Sequence, residues 1–156
     1  MTEEDIDHAQ VMVPPPLVFL GYLIGALVLN WLIPFPAPWT FVLRAVGGLT
    51  VIAGIVLVLS AFSQMMKAHT SPDPQQGVHA LVTRGPYRWT RNPIYLGFFS
   101  IFLGFTLLDG TLWGLAGSPF LIWTVTQAVI SAEEIYLEAK FGEEYRQYRS
   151  RVRPWL

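Results

Sequence analysis

Residues 45–63 read AVGGLTVIAGIVLVLSAFS, nineteen positions without a charge between Arg44 and Gln64. As a helix rising 1.5 Å per residue, such a run reaches about 28 Å, close to the roughly 30 Å hydrocarbon thickness of a bilayer. Gly47, Gly48 and Gly54 lower part of its surface, which lets membrane helices approach closely. The stretch predicts a membrane helix, and the rest of the chain repeats the pattern. Residues 17–33 (LVFLGYLIGALVLNWLI), 94–108 and 111–130 are also uncharged. The fold expected is therefore all-α: a polytopic membrane helix bundle with four transmembrane helices, at 17–33, 45–63, 94–108 and 111–130. Asp109-Gly110 is a hairpin turn signal between the last two. Pro34, Pro36 and Pro38 break the chain after the first, with Trp31 and Trp39 at interface depth.

Composition agrees. Of 156 residues 53% are hydrophobic and 13% charged, and the mean hydropathy is +0.43, which argues against a water-soluble globular domain. Ten Lys/Arg nearly balance eleven Asp/Glu, so the strongly basic surface of a nucleic-acid binder is missing. The chain has no cysteine, which excludes disulfide scaffolds, cysteine-ligated zinc, iron–sulfur clusters and thiol nucleophiles. No metal-ligand spacing occurs either, and no metal is expected. The first residues, with Glu3, Glu4, Asp5 and Asp7, lack the basic start of a signal peptide.

Charge distribution sets the expected orientation. Four spans place both ends of the chain and the loop 64–93 on one side. That side carries Lys67, Arg84, Arg88 and Arg91 in the loop and Lys140, Arg146, Arg149, Arg151 and Arg153 in the tail; only Arg44 lies opposite. By the positive-inside rule both ends face the cytoplasm, in the cell (inner) membrane. Beyond Ser131 the charged residues alternate with Tyr136, Leu137, Phe141, Tyr145 and Tyr148 at helical spacing, which predicts a C-terminal amphipathic cytoplasmic helix on the membrane surface. Residues 1–156 read as a single membrane domain.

Functional side chains concentrate in two cytoplasmic segments, 79–97 and 133–148. In the first, Gly85-Pro86 forces a turn, Pro93 opens a helix without forfeiting a bonded N–H, and Asn92 is placed to cap it. Turn, cap and snorkelling arginines would also account for this segment structurally. In the second, Glu133 and Glu134 follow directly on an apolar span. Carboxylates near hydrocarbon are costly unless cations or donors satisfy them. Arg91 or Tyr95, from the neighbouring helix, are the expected partners, and a structural salt bridge would meet that need as well.

Together these residues resemble the integral-membrane methyltransferases that include isoprenylcysteine carboxyl methyltransferases and phospholipid N-methyltransferases. The likeness covers residues 79–154. It rests on H-x-L-V (His79, Leu81, Val82), G-P-Y (Gly85 to Tyr87), R-N-P-x-Y-x-G (Arg91 to Gly97), E-E (Glu133, Glu134) and F-G-x-x-Y-x-x-Y (Phe141 to Tyr148), in family order. The resemblance implies binding of S-adenosylmethionine at the cytoplasmic ends of the last two helices, without a Rossmann domain. It implies that His79, Ala80, Leu81, Val82 and Tyr87 line the cofactor. Asn92, Pro93, Ile94 and Tyr95 would hold it at the helix start, and Glu133 and Glu134 would engage its polar groups. Arg91, Tyr95 and Glu134 are the residues it assigns to catalysis. Many family members have histidine where Asn92 stands; an amide still donates and accepts. The eukaryotic isoprenylcysteine enzymes carry a carboxylate-binding arginine one turn before the first glutamate, where this chain has Val129.

The chemistry is consistent with that implication. A sulfonium donor bearing an amine and a carboxylate asks for acidic partners and for basic or N–H partners, and Tyr87, Tyr95 or Trp89 offer faces to a cation or an adenine. Direct displacement needs an acceptor in line with the sulfur–methyl bond and no covalent nucleophile. The expected partners are membrane lipids and a lipophilic or lipid substrate entering from the bilayer; these motifs carry no information on oligomeric state. Two other readings stay open: an NADPH-dependent membrane reductase of the sterol type, whose members end in a related R-H-P-x-Y element, and a non-catalytic membrane partner-binding protein.

Overall fold

The computed structural model describes residues 14–35, 41–70 and 78–156. The acidic start, the turn prolines Pro36 and Pro38 with Trp39, and the loop prolines Pro72 and Pro74 lie outside the described residues. Among the described residues the regular structure is helical: α1 (Pro15–Leu32), α2 (Phe41–Lys67), a 3₁₀ turn (Gly85–Arg88), α3 (Pro93–Asp109), α4 (Leu112–Val125), a π turn (Thr126–Ile130), α5 (Ser131–Phe141) and α6 (Glu143–Arg151).

Among the described residues three helices are long and apolar enough to cross a membrane: Pro15–Leu32, Phe41–Lys67 and Leu112–Phe141. The boundaries depart from expectation in three places. α2 begins before Arg44, so this residue lies within the helix rather than ahead of it. α3 has 17 residues, about 26 Å of rise, and belongs with the shorter apolar helices. The apolar run expected to end at 130 continues without a break through the π turn into α5, giving a rod of 30 residues. A single surface helix beyond Ser131 is thus not what forms. The segment divides at Gly142, whose φ of 53° suits a residue without a Cβ, and α6 starts afresh with Glu143 and Glu144 in its first turn.

α2 and α3 pack through two glycine pairs. A Cβ built on Gly47 would stand 2.9 Å from the carbonyl oxygen of Gly104, and one on Gly54 would stand 2.7 Å from that of Gly97. Such approach brings backbone to backbone and maximises dispersion contact where no hydrophobic force acts between helices. Gly48 takes no part, since its position opens on empty space. The α3–α4 hairpin turns at Gly110, left-handed at φ 84°, and Thr111 caps α4 by accepting from the Trp113 N–H. α1 lies along α4, joined by Tyr22 Oη and Thr124 Oγ1 at 2.8 Å. The core gathers Phe19, Tyr95, Phe102, Leu121, Val125, Val129 and Ile130. On the outer face of α2, Leu49, Ile52, Val56 and Leu59 are exposed, a contiguous apolar surface that suits lipid.

Candidate active site

Beyond the core, the first turn of α3 meets α5, α6 and the segments 78–82 and 85–88 around one cavity. Its lining includes Ala80, Leu81, Val82, Tyr87, Arg91, Asn92, Pro93, Ile94, Tyr95, Glu133 and Glu134. Residues far apart in sequence reach it because Pro93 starts α3 just after the 3₁₀ turn and the π turn delivers α5 opposite. Two residues singled out from the sequence stand elsewhere. His79 is exposed, its backbone N–H donating to Thr70 Oγ1 at 3.0 Å. Trp89 is 76% exposed and turns away from the cavity.

The two glutamates have different surroundings. Glu134 is held by arginines: Arg91 donates to its Oε1 from Nε at 3.0 Å and from Nη2 at 2.5 Å, and Arg149 Nε stands 3.6 Å from its Oε2. Arg91 also donates from Nη1 to the carbonyls of Arg149 at 3.1 Å and Val152 at 2.6 Å. Arg91 and Glu134 are therefore a joint between α3, α5 and the end of α6. Glu133 instead accepts a hydrogen bond from the Tyr95 hydroxyl. Among the described residues no ion pair reaches Glu133; its carboxyl group lines the cavity without a paired cation. The Arg91–Glu134 and Tyr95–Glu133 pairs are the partnerships that the sequence pointed to.

Asn92 corrects an expectation. It precedes α3, but its side chain makes no cap hydrogen bond, because Nδ2 donates to the Pro154 carbonyl at 2.9 Å. Pro93 already removes one orphan donor at the helix start, which lessens the need for a cap.

Several lining residues had not been singled out for the cavity: Met65, Thr70, Val78, Tyr136, Leu137, Tyr145 and Tyr148. The F-G-x-x-Y-x-x-Y spacing was the signal for the last two, since i and i+3 share a helix face. Tyr148 donates to the Tyr87 carbonyl at 2.7 Å, tying α6 to the 3₁₀ turn, and Tyr136 Oη accepts from the Val78 N–H at 3.1 Å. Burial, and then the neighbouring Tyr148 phenol and Glu133 carboxylate, push the Tyr87 phenol above the ordinary tyrosine value. Burial is also the first cause for Tyr145 and Tyr148. All three thus stay protonated donors at neutral pH. The Tyr87 hydroxyl is buried in the cavity wall, with no hydrogen-bond partner among the described residues.

A profile of the phospholipid methyltransferase family matches residues 42–144, from the start of α2 to the start of α6. The chain belongs to the phospholipid methyltransferase family. Relatives carry the name protein-S-isoprenylcysteine O-methyltransferase. That of Schizosaccharomyces pombe is 35% identical over 92 residues, 59% of this chain and 37% of the relative. That of Saccharomyces cerevisiae is 31% identical over 111 residues, 66% and 46%. The human protein is 34% identical over 85 residues, 54% and 30%. The chain thus spans less than half the length of each. No solved structure matches the chain. Family membership and the apolar helices together make this a multi-pass membrane protein.

Proposed function

We propose that the protein transfers a methyl group from S-adenosylmethionine to a lipophilic acceptor at the cavity between α3, α5 and α6. One observation carries this reading: Glu133 brings a buried carboxyl group to the cavity with no cation paired to it among the described residues, where a cationic ligand group would favour and balance its ionised form. The buried, unpartnered hydroxyl of Tyr87 fits the same ligand, since a polar cofactor offers it an acceptor. S-adenosylmethionine, when bound, supplies a methyl group on a sulfonium sulfur that a lone pair of the acceptor can displace.

The chain's own residues bind, orient and dehydrate. Glu133 takes the positive end of the ligand, held in place by the Tyr95 hydroxyl. Tyr87, Tyr145 and Tyr148 present aromatic faces, and a desolvated cation over such a face gains about 2 kcal/mol. Ala80, Leu81, Val82, Ile94 and Leu137 exclude water, so fixed charges act at low dielectric. Arg91 and Glu134 act through the frame they brace. An amine acceptor gives up a proton before attack, and Glu133 is the carboxylate facing the cavity that receives it; a carboxylate acceptor needs no base. Val129 is buried in the core, so the π turn contributes no guanidinium at that position for an anionic acceptor.

The same reading gives the molecule four passes, with α3 lying against α2 as the shortest. The cavity and both ends of the chain then lie on the cytoplasmic side of the cell membrane, and the acceptor enters from the bilayer. The family and the named relatives lend no support to the reductase or the non-catalytic reading. Titration of the detergent-purified protein with S-adenosylmethionine and, separately, with NADPH tests the cofactor. Transfer of labelled methyl groups into a native lipid extract then tests the acceptor class. Saturation by NADPH alone would reverse the assignment.

A further inference from the structure

The rod that carries Glu133 and Glu134 is not uniform. Between α4 and α5 the residues Thr126–Ile130 take π geometry, and the Ser131 N–H donates to the Thr126 carbonyl, five residues back. A π turn holds one residue more than the α turn it replaces, so side chains beyond it are turned by about 100° relative to α4. In an uninterrupted helix Ala132 and Glu133 would stand where Glu133 and Glu134 now stand. Tyr95 would then face a methyl group and Arg91 would face the wrong carboxylate. The division of labour between the two glutamates depends on this single extra residue.

Thr126 is the node of the turn. Its carbonyl also accepts from Ser131 Oγ at 2.9 Å, and its hydroxyl donates to the Ile122 carbonyl at 2.7 Å. The same hydroxyl accepts from the indole N–H of Trp155 at 3.0 Å. Trp155 is held from the other half of the site. Its ring packs edge-on against Phe99 of α3, centroids 6.2 Å apart. The preceding carbonyl, that of Pro154, accepts from Thr90 Oγ1 at 3.0 Å and from Asn92 Nδ2. The carbonyl of Arg153 accepts from the Arg91 N–H at 2.9 Å. Residues 152–155 thus form a strap fixed at residues 90–92 and ending on the π turn.

We propose that Trp155 is a positioning residue of the cavity: by its hydrogen bond to Thr126 it holds the π turn and so fixes which glutamate faces Tyr95 and which faces Arg91. Its effect on ligand binding rests on the S-adenosylmethionine reading given above, whereas its effect on the turn does not. Trp155→Phe keeps an aromatic ring beside Phe99 and removes the N–H together with the five-membered ring that carries it. Thr126→Val keeps volume and removes the acceptor, and Thr126→Ser restores the hydroxyl.

Two readouts on the detergent-purified full chain test this. The first is the Kd for S-adenosylmethionine; the second is amide exchange over residues 126–134 without ligand. Trp155→Phe and Thr126→Val each raise the Kd about five-fold, the loss of one ordinary hydrogen bond, and speed exchange over that segment. The double variant is no weaker than Thr126→Val alone, and Thr126→Ser behaves as the unaltered protein. A tryptophan that merely packs would lose as much in Trp155→Phe with valine at position 126 as with threonine. Unchanged Kd and exchange in Trp155→Phe, or losses that multiply in the double variant, overturn the proposal. Should the unaltered protein bind no S-adenosylmethionine, the functional reading fails. Exchange then decides alone: faster in Trp155→Phe sustains the latch, and unchanged refutes it.

Discussion

Arg91 gives two hydrogen bonds to one oxygen of Glu134, from Nε at 3.0 Å and Nη2 at 2.5 Å, with side chains only 9% and 15% exposed. The same guanidinium satisfies two carbonyls near the end of α6. An arginine committed four times to protein acceptors braces the wall of the cavity that it and Glu134 line.

Removing the brace is therefore expected to unfold before it inactivates. Arg91→Ala leaves the near-buried Glu134 carboxylate with only the longer contact from Arg149 and should destabilise the protein by about 3 kcal/mol. Arg91→Lys recovers little, because an ammonium cannot copy the planar fork. Denaturant titration in detergent measures both. A stability equal to that of the unaltered protein in Arg91→Ala would refute the brace.

The glycine pairs make a local prediction. Gly54→Ala places a methyl carbon 2.7 Å from the Gly97 carbonyl oxygen, and the forced separation of α2 and α3 should cost about 2 kcal/mol. Gly48→Ala, which meets nothing within 4 Å, should be neutral or slightly stabilising through helix propensity. Equal melting temperatures for the two variants would contradict the packing described.

Stability should also depend on pH in one direction. The phenols of Tyr87, Tyr145 and Tyr148 are raised by burial above the value near 10 that they have in the unfolded chain. Above pH 10 the unfolded chain releases these protons first, so the phenols' contribution to stability, fully present below that pH, is lost as pH rises further. Tyr148→Phe removes one such group and the bond to Tyr87, at a cost of about 1 kcal/mol at neutral pH, and shallows the alkaline fall. An alkaline slope unchanged in that variant would count against the shift.

How much was legible in the sequence follows from where the physics is local. Uncharged runs read as helices because bilayer thickness fixes their length, and Asp109-Gly110 and Pro93 mark turn and start by their backbone restrictions. The partners of Glu133 and Glu134 were legible because a carboxylate beside an apolar span has few neighbours to choose from. The π turn was not, since no side chain of Thr126 to Ile130 signals an extra residue in a helix. Nor was the strap, because Arg153 and Pro154 act through carbonyls that every residue has. The break at Gly142 was missed although its signal is present, since a glycine between Phe141 and two glutamates is a helix stop followed by an acidic start; the helical spacing of Tyr136, Leu137, Phe141, Tyr145 and Tyr148 hid it. His79 fitted a motif, yet its side chain lies outside the cavity and only its neighbours line it.

In the proposed function Glu133 supplies the negative charge for a cationic methyl donor. Calorimetric titration of S-adenosylmethionine into the unaltered protein and Glu133→Gln, which preserves shape and hydrogen bonding to Tyr95, tests it most directly. Saturable binding is expected to weaken at least about ten-fold in Glu133→Gln, as loss of a charged partner in a dry site requires, with an unchanged melting temperature. Equal affinity in the two proteins, or no saturable binding to either, would contradict it.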